Sequence, residues 1–284
     1  MAIQYPEILS LTSDGFEGGY GDRETMLYAL GIGLGSDPMN EKELPFVYEN
    51  GLKALPTMAT VIGWGANTLV GRMGINYLMV VHGEQKLTIH KTLPSAAAIT
   101  ASARVIAALD KGKDKGAVIY TETTIWEKGG DKLATLVGST FARGDGGFGG
   151  PSEGGPDAHV VPTRPHDAQV EIPTRPDQAL IYRLSGDRNP LHADPNVAKM
   201  AGFARPILHG LCTYGITSRA VLQTYADYDP ARIRSHDVRF SSPVFPGETI
   251  VTRMWKDGET ISFEASVKER GVTVIKNGKS IVSG

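Results

Sequence analysis

The chain has 284 residues, 41% of them hydrophobic and 21% charged, with a formal net charge of -2. That length is enough for one large core or two of ordinary size, and two is the expectation, while the near-neutral charge gives no broad footprint for nucleic acid or an anionic membrane surface. Cys212, the single cysteine, has no partner for an internal disulfide, which predicts a reducing compartment and a buried helical thiol.

The opening residues MAIQYPEILS have neither a basic n-region nor an apolar h-region, and no window approaches the about 18 apolar residues of a membrane span. The closing SIVSG matches no peroxisomal or retention address, so the cytosol is the expected location. The first half begins with RETMLYALGIGLG at residues 23–35. Its LGIGLG resembles a dinucleotide fingerprint but lacks the final GxxG spacing and an evident preceding strand, so no nucleotide is expected. AAAITASARVIAAL reads as a strand, and GAVIYTETTIWEKGGDKLATLVGSTFAR as a hairpin turning at Gly129 and Gly130.

The clearest break is ARGDGGFGGPSEGGPDAHVVPTRP, where glycine, proline and small polar residues replace apolar periodicity. It predicts domains over 1–143 and 166–284 joined by a linker over 144–165. Beyond it comes YRLSGDRNPLHADPN at residues 182–196, too rich in proline and glycine to be regular. Asp194 is placed to cap a short helix that starts at Pro195 and closes at Gly202. GLCTYGITSRAVLQTYAD follows as a longer helix with few charges, as a helix surrounded by protein would have. Residues 248–283 then alternate apolar and polar, with turns expected at Asp257-Gly258, Arg270-Gly271 and Asn277-Gly278, which describes an antiparallel meander. A sheet curled around the long helix is the economical arrangement. TLPSAAAITASARVIAALDKG and PVFPGETIVTRMWKDG also share a proline, an apolar strand and a closing turn, so the halves read as a weak duplication with the polar turn kept in one only.

That turn carries the chemistry. Asn189 precedes Pro190 and is biased away from helical backbone, so the chain from Asp187 to His192 should fold back on itself. A carboxylate and an imidazole facing one small volume can share a water, one taking its proton and the other supplying one to a substrate, with Asn189 orienting either group. The bland alternative has Asp187 and Asn189 stabilise the turn and His192 partly buried and satisfied. A second element, ILHGLC, sets His209 and Gly210 at the start of the long helix. Unpaired N–H groups and the positive dipole end there suit a developing oxyanion, and glycine admits a carbonyl close to the backbone. Gly210 is the candidate donor; its alternative is an ordinary helix start.

YRLSGDRNPLH, with DPNVAKMAGFARPILHGLCTYG and VRFSSPVFPGETI, resembles the signature of the (R)-specific enoyl-CoA hydratases, the hydratase 2 or MaoC-like dehydratase family. DRETMLYALGIGLG, VVHGEQKLTIHKTLP and LDKG extend the resemblance over the first half, to the double-hot-dog hydratase 2 type. The resemblance implies an α+β double hot-dog fold and reversible addition of water to a trans-2-enoyl-CoA, giving the (3R)-3-hydroxyacyl-CoA. It places the catalytic pair on Asp187 and His192, the turn asparagine on Asn189 and the thioester-oxygen donor on Gly210. Substrate contacts fall on His82, Gly83, Lys111 and Phe240. An acyl-CoA partner, a homodimer, no cofactor and no metal are expected, with an enlarged acyl tunnel where the first half lacks its own catalytic turn. The seven histidines contain no HExxH and have no cysteine partners, and no GxSxG surrounds Ser185. Lys111, Lys113 and Lys115 are the only tight basic cluster, a solvated turn or a contact for CoA phosphates. Two rivals stand beside hydration: an acyl-CoA thioesterase on the same kind of fold, and a non-catalytic acyl-CoA binding protein.

Overall fold

The computed structural model describes residues 2–13, 15–66 and 68–284. The chain falls into two compact units. One comprises Met1–Gly18, Gly63–Lys91 and Ala98–Ala158, and the other Gly19–Ile62, Thr92–Ala97 and His159–Gly284. The second unit thus resumes at His159, inside the Gly/Pro-rich break. Composition does not disclose that residues 19–62 pack with it.

In the first set of strands, β1 (Phe16–Tyr20), β2 (Val80–Ile89), β3 (Ala97–Asp110), β4 (Ala117–Glu127) and β5 (Lys132–Ala142) run in the order β1-β3-β4-β5-β2. Along β3, Ile99, Ala101, Ala103 and Val105 are buried, while Arg104 points out to an ion pair with Glu122 on β4. This is the period of two that a half-buried strand requires. In the second set, β6 (Ala168–Pro173), β7 (Ile233–Phe240), β8 (Thr249–Asp257), β9 (Thr260–Val267) and β10 (Thr273–Val282) run in the order β6-β8-β9-β10-β7. The two paths are the same, strand for strand, so the duplication suggested by the two short strand segments extends to topology.

The β4–β5 hairpin turns at Gly129 and Gly130 as expected, and β8–β9 and β9–β10 turn at Gly258 and just before Gly271. Asn277-Gly278 is a correction. It makes no turn; β10 continues through it, and the register with both neighbouring strands shifts there, as in a β-bulge. Asn277 takes the left-handed conformation, φ 55°, that the same dipeptide would use in a tight hairpin, so the residue signal was correct and its context was not.

The α-helices of the described residues lie within the stretches that make up the second unit: α1 (Asp22–Gly31), α2 (Leu44–Val47), α3 (Ala59–Ile62), α4 (Gln178–Tyr182), α5 (Pro195–Met200) and α6 (Gly210–Tyr225). None among the described residues is long and apolar enough to cross a membrane. Helix α6 is buried from Leu211 to Leu222 and lies against β6, β7, β8 and β10, the sheet-around-helix arrangement expected from its lack of charge.

The glycine run that imitates a nucleotide fingerprint has a packing role. A Cβ at Gly31 would stand 3.3 Å from the Tyr182 backbone, and one at Gly33 would stand 3.1 Å from the Arg219 guanidinium. Glycine lets this segment lie directly on α4 and α6. Arg219 of α6 is buried; its guanidinium donates to the Gly33 carbonyl at 2.8 Å and to Glu43 at 2.6 Å, and Glu43 also accepts from the Gly35 N–H at 2.7 Å. Cys212, buried as expected, faces the Gly31 carbonyl at 3.3 Å.

ALGIGLGSD in the first half aligns without a gap on ALIYRLSGD in the second, which sets Asp37 opposite Asp187 and Lys42 opposite His192. The turn bond survives: Asp37 accepts from the Met39 N–H at 2.9 Å, as Asp187 does from the Asn189 N–H at 3.0 Å. The chemistry does not, because Lys42 is turned to an exposed ion pair with Asp227.

Candidate active site

The polar turn is held by its own side chains. The Asp187 carboxylate accepts the Asn189 N–H through Oδ1, and Asn189 Oδ1 accepts the Leu191 N–H at 3.0 Å, two successive Asx turns that leave Asp187 Oδ2 uncommitted to the turn. Asn189 is extended, with ψ 123°, as a residue before proline must be. Pro190–His192 then forms one tight 3-10 turn that carries His192 back toward Asp187.

His192 is buried, and its Nδ1 lies 2.8 Å from the Ile207 carbonyl oxygen. A carbonyl only accepts, so Nδ1 carries the proton and Nε2 of the neutral ring presents a lone pair. Burial lowers the His192 pKa from the ordinary 6.5, opposed by the Ile207 hydrogen bond and the Asp187 charge. His192 therefore rests as a neutral proton acceptor.

The structure adds a third member. His209, the residue capping α6, donates from Nε2 to the Asp187 backbone carbonyl at 3.2 Å. Its ring stacks on that of His192 with centroids 3.6 Å apart and planes 26° apart, and Tyr182 flanks it at 5.1 Å. Burial, then the adjacent His192, pushes the His209 pKa down to about 3. Sequence reasoning placed His209 only at the helix start and assigned it no part in the site. The signal was its position immediately before the candidate donor, on the same return of chain that supplies the Ile207 carbonyl.

The Cys212 and Thr213 N–H groups both bond the His209 carbonyl, whereas the Gly210 N–H opens α6 with no protein acceptor among the described residues. A Cβ at Gly210 would sit 3.3 Å from the Phe240 ring, closer than an ordinary contact, so a side chain here would press on that aromatic. Asp187, Asn189, His192, Gly210 and Phe240 thus all belong to the second unit. They combine a proton-accepting pair, a free N–H at the positive end of a 16-residue helix and an apolar wall.

His82, Gly83 and Lys111 belong to the first unit. His82 is exposed on β2 opposite Thr140, and the register shift that follows it places Gly83 in a β-bulge. Lys111 donates from Nζ to the Ser152 carbonyl, while the Asp110 carboxylate gathers the N–H groups of Gly112, Gly147 and Gly149. The start of the Gly/Pro-rich stretch is therefore fastened to the first sheet, where sequence reading had expected a linker.

Asp187, His192 and His209 also form the one group of possible metal ligands among the described residues, with donor atoms within 4.8 Å of one another. One nitrogen of each ring is committed to a carbonyl and the rings lie face to face. The remaining lone pairs point along near-parallel planes, where a tetrahedral ion needs them to converge.

Two family models match the chain: "MFE-2 hydratase 2 N-terminal domain" over residues 19–144 and "MaoC like domain" over residues 157–278. Peroxisomal multifunctional enzyme type 2 of Mus musculus is 41% identical over 271 residues, which cover 92% of this chain and 36% of the mouse enzyme. The chain thus spans about a third of that relative. An enoyl-CoA hydratase of Mycobacterium tuberculosis is 40% identical, with 91% of each chain covered. Among solved structures, a MaoC-like dehydratase from Phytophthora capsici superposes with a TM-score of 0.88 at 36% identity over 99% of both chains.

Proposed function

The chain belongs to the MaoC-like dehydratases of the hydratase 2 type, and on that premise we propose that this hydro-lyase adds water reversibly across the trans double bond of a 2-enoyl-CoA to give the (3R)-3-hydroxyacyl-CoA. The observation that carries the reading is the convergence of Asp187, neutral His192 and the free Gly210 N–H within one unit.

The chemistry follows from these groups. The thioester oxygen accepts the Gly210 N–H, the helix dipole favours the negative charge that grows there, and C3 becomes electrophilic. A water shared by the Asp187 carboxylate and His192 Nε2 attacks C3. The pair takes one proton from it, and the same proton equivalent is returned to C2 as the enolate collapses. The carbonyl is the electron sink, so the reading calls for no redox group or metal. Phe240 lies along the donor, where it shields the oxyanion from water and strengthens the hydrogen bond.

His82, Gly83 and Lys111 serve the CoA portion in this reading, and the first half serves the acyl chain. Medium and long enoyl groups are the expected substrates. The deciding experiment incubates the purified chain with trans-2-decenoyl-CoA and couples product to a (3R)-specific dehydrogenase while free thiol is followed. Reduced nicotinamide without thiol supports hydration. Thiol release assigns the site to thioester hydrolysis, and tight binding with unchanged substrate assigns it to carriage.

A further inference from the structure

We propose that His209 is a positioning residue for the acid–base pair, fixing the Asp187 backbone with its Nε2–H and setting the plane of the His192 ring with its own face. The proposal rests on the hydration reading above and names a residue that reading does not use.

Two contacts of one side chain and its place in the chain carry it. His209 holds the Asp187 carbonyl at 3.2 Å, lies 3.6 Å from His192 ring to ring, and is the residue whose peptide bond bears the Gly210 N–H. It is 1% exposed, and its Nδ1 is buried without a protein partner. A buried imidazole with an unpaired nitrogen costs stability relative to an apolar ring of similar size. An apolar ring would fill the space as well, but it could not hold the Asp187 carbonyl. The cost is therefore offset by something other than packing, and the site next to it is where placement matters: a misplacement of about 1 Å can lower a rate about 100-fold.

His192 is faced by a defined set of groups. Asp187 and Arg183 come from the polar turn, and His209 comes from the start of α6. Of these, only His209 covers the imidazole with a stacked ring. Removing that ring admits water to one face of His192 and returns it toward a solvated histidine, whereas removing only the Nε2–H leaves the face dry and frees the Asp187 carbonyl.

Two variants separate these effects. His209→Gln keeps an N–H donor at comparable reach and loses the ring; His209→Phe keeps the ring and loses the donor. Steady-state kinetics on trans-2-decenoyl-CoA across pH, with far-UV circular dichroism and melting curves, provide the readout. Both variants should lose about 10- to 100-fold in kcat with KM changed less than about threefold. In His209→Gln the acid limb of kcat/KM should move to higher pH, because His192 must be neutral to accept a proton and its pKa rises on hydration. In His209→Phe that limb should stay where it is in the wild type. Wild-type kcat in both variants, a change confined to KM, an unmoved acid limb in His209→Gln, or loss of cooperative melting in both would each overturn the proposal. A wild-type chain inactive on the enoyl-CoA would instead overturn the hydration reading itself.

Discussion

The Gly210 N–H tests the site residue by residue. It occupies the first position of α6, where proline is well accommodated, and His209 before it has the extended ψ of 136° that a residue preceding proline adopts. Gly210→Pro therefore deletes the donor with little demand on the backbone, and Gly210→Ala, which brings the same Cβ to within 3.3 Å of Phe240 and keeps the N–H, is its control. A fall in kcat of about 100- to 1000-fold with a melting temperature near that of the wild type is expected, and a near-normal rate would remove the donor from the mechanism. The wild-type pH profile is a second test. With His192 lowered from 6.5, activity should persist below pH 6.5 and fall only as His192 becomes protonated. A limb at or above 6.5 would contradict the buried, neutral acceptor. The turn bearing Asp187, Asn189 and His192 and the helix start at Gly210 were legible as places in the sequence, from a residue before proline and a helix start, while the roles given to these residues over their bland alternatives came with the family resemblance. His209 was not, since its role depends on two chain segments meeting, and neither segment states that meeting.

At the scale of elements, the glycine-broken run after α1 and the second half of α6 are bound by charge. Arg219 and Glu43 are both buried, and their guanidinium–carboxylate bond is 2.6 Å long. Glu43→Ala leaves the arginine buried and uncompensated, and should cost about 3 kcal/mol or more in urea denaturation. Replacing both partners with apolar residues of similar volume should recover much of the loss, and equal losses in the single and double variants would contradict the buried pair. His209 and His236 are held neutral, each with its pKa depressed to about 3 mainly by burial. A histidine depressed on folding contributes stability that is present above its unfolded pKa of about 6.5 and is lost as pH falls toward the folded value. The urea midpoint should accordingly fall between pH 7 and pH 5; a rise would mean that these rings are not held neutral. In the second half, β8, β9 and β10 and helices α5 and α6 were readable from periodicity and caps, whereas β6 and β7 were not read. The bulge at Asn277-Gly278 and the packing role of LGIGLG were not, because one dipeptide serves both turn and bulge, and a glycine run does not say what will approach it.

At the scale of the molecule, two strand sets with one path and one turn with two fates describe a duplication whose halves have diverged in chemistry. Asp37 retains the backbone bond of the turn while Lys42 stands where His192 would act. The compact unit that carries the site draws residues 19–62 from the first half, with Ile32 and Tyr28 lying on Gly215 of α6. A fragment of residues 159–284 would expose that face and leave Arg219 unpaired, so it should fail to melt cooperatively. Adding a separate 19–62 peptide tests whether the missing cover suffices. The measurement closest to the central claim is the rate of loss of enoyl absorbance from trans-2-decenoyl-CoA for the wild type, Asp187→Asn and His192→Ala under one set of conditions. Hydration by the wild type with losses of at least about 100-fold in each variant is predicted for an acid–base pair acting on one water. Substantial hydration by either variant would contradict it.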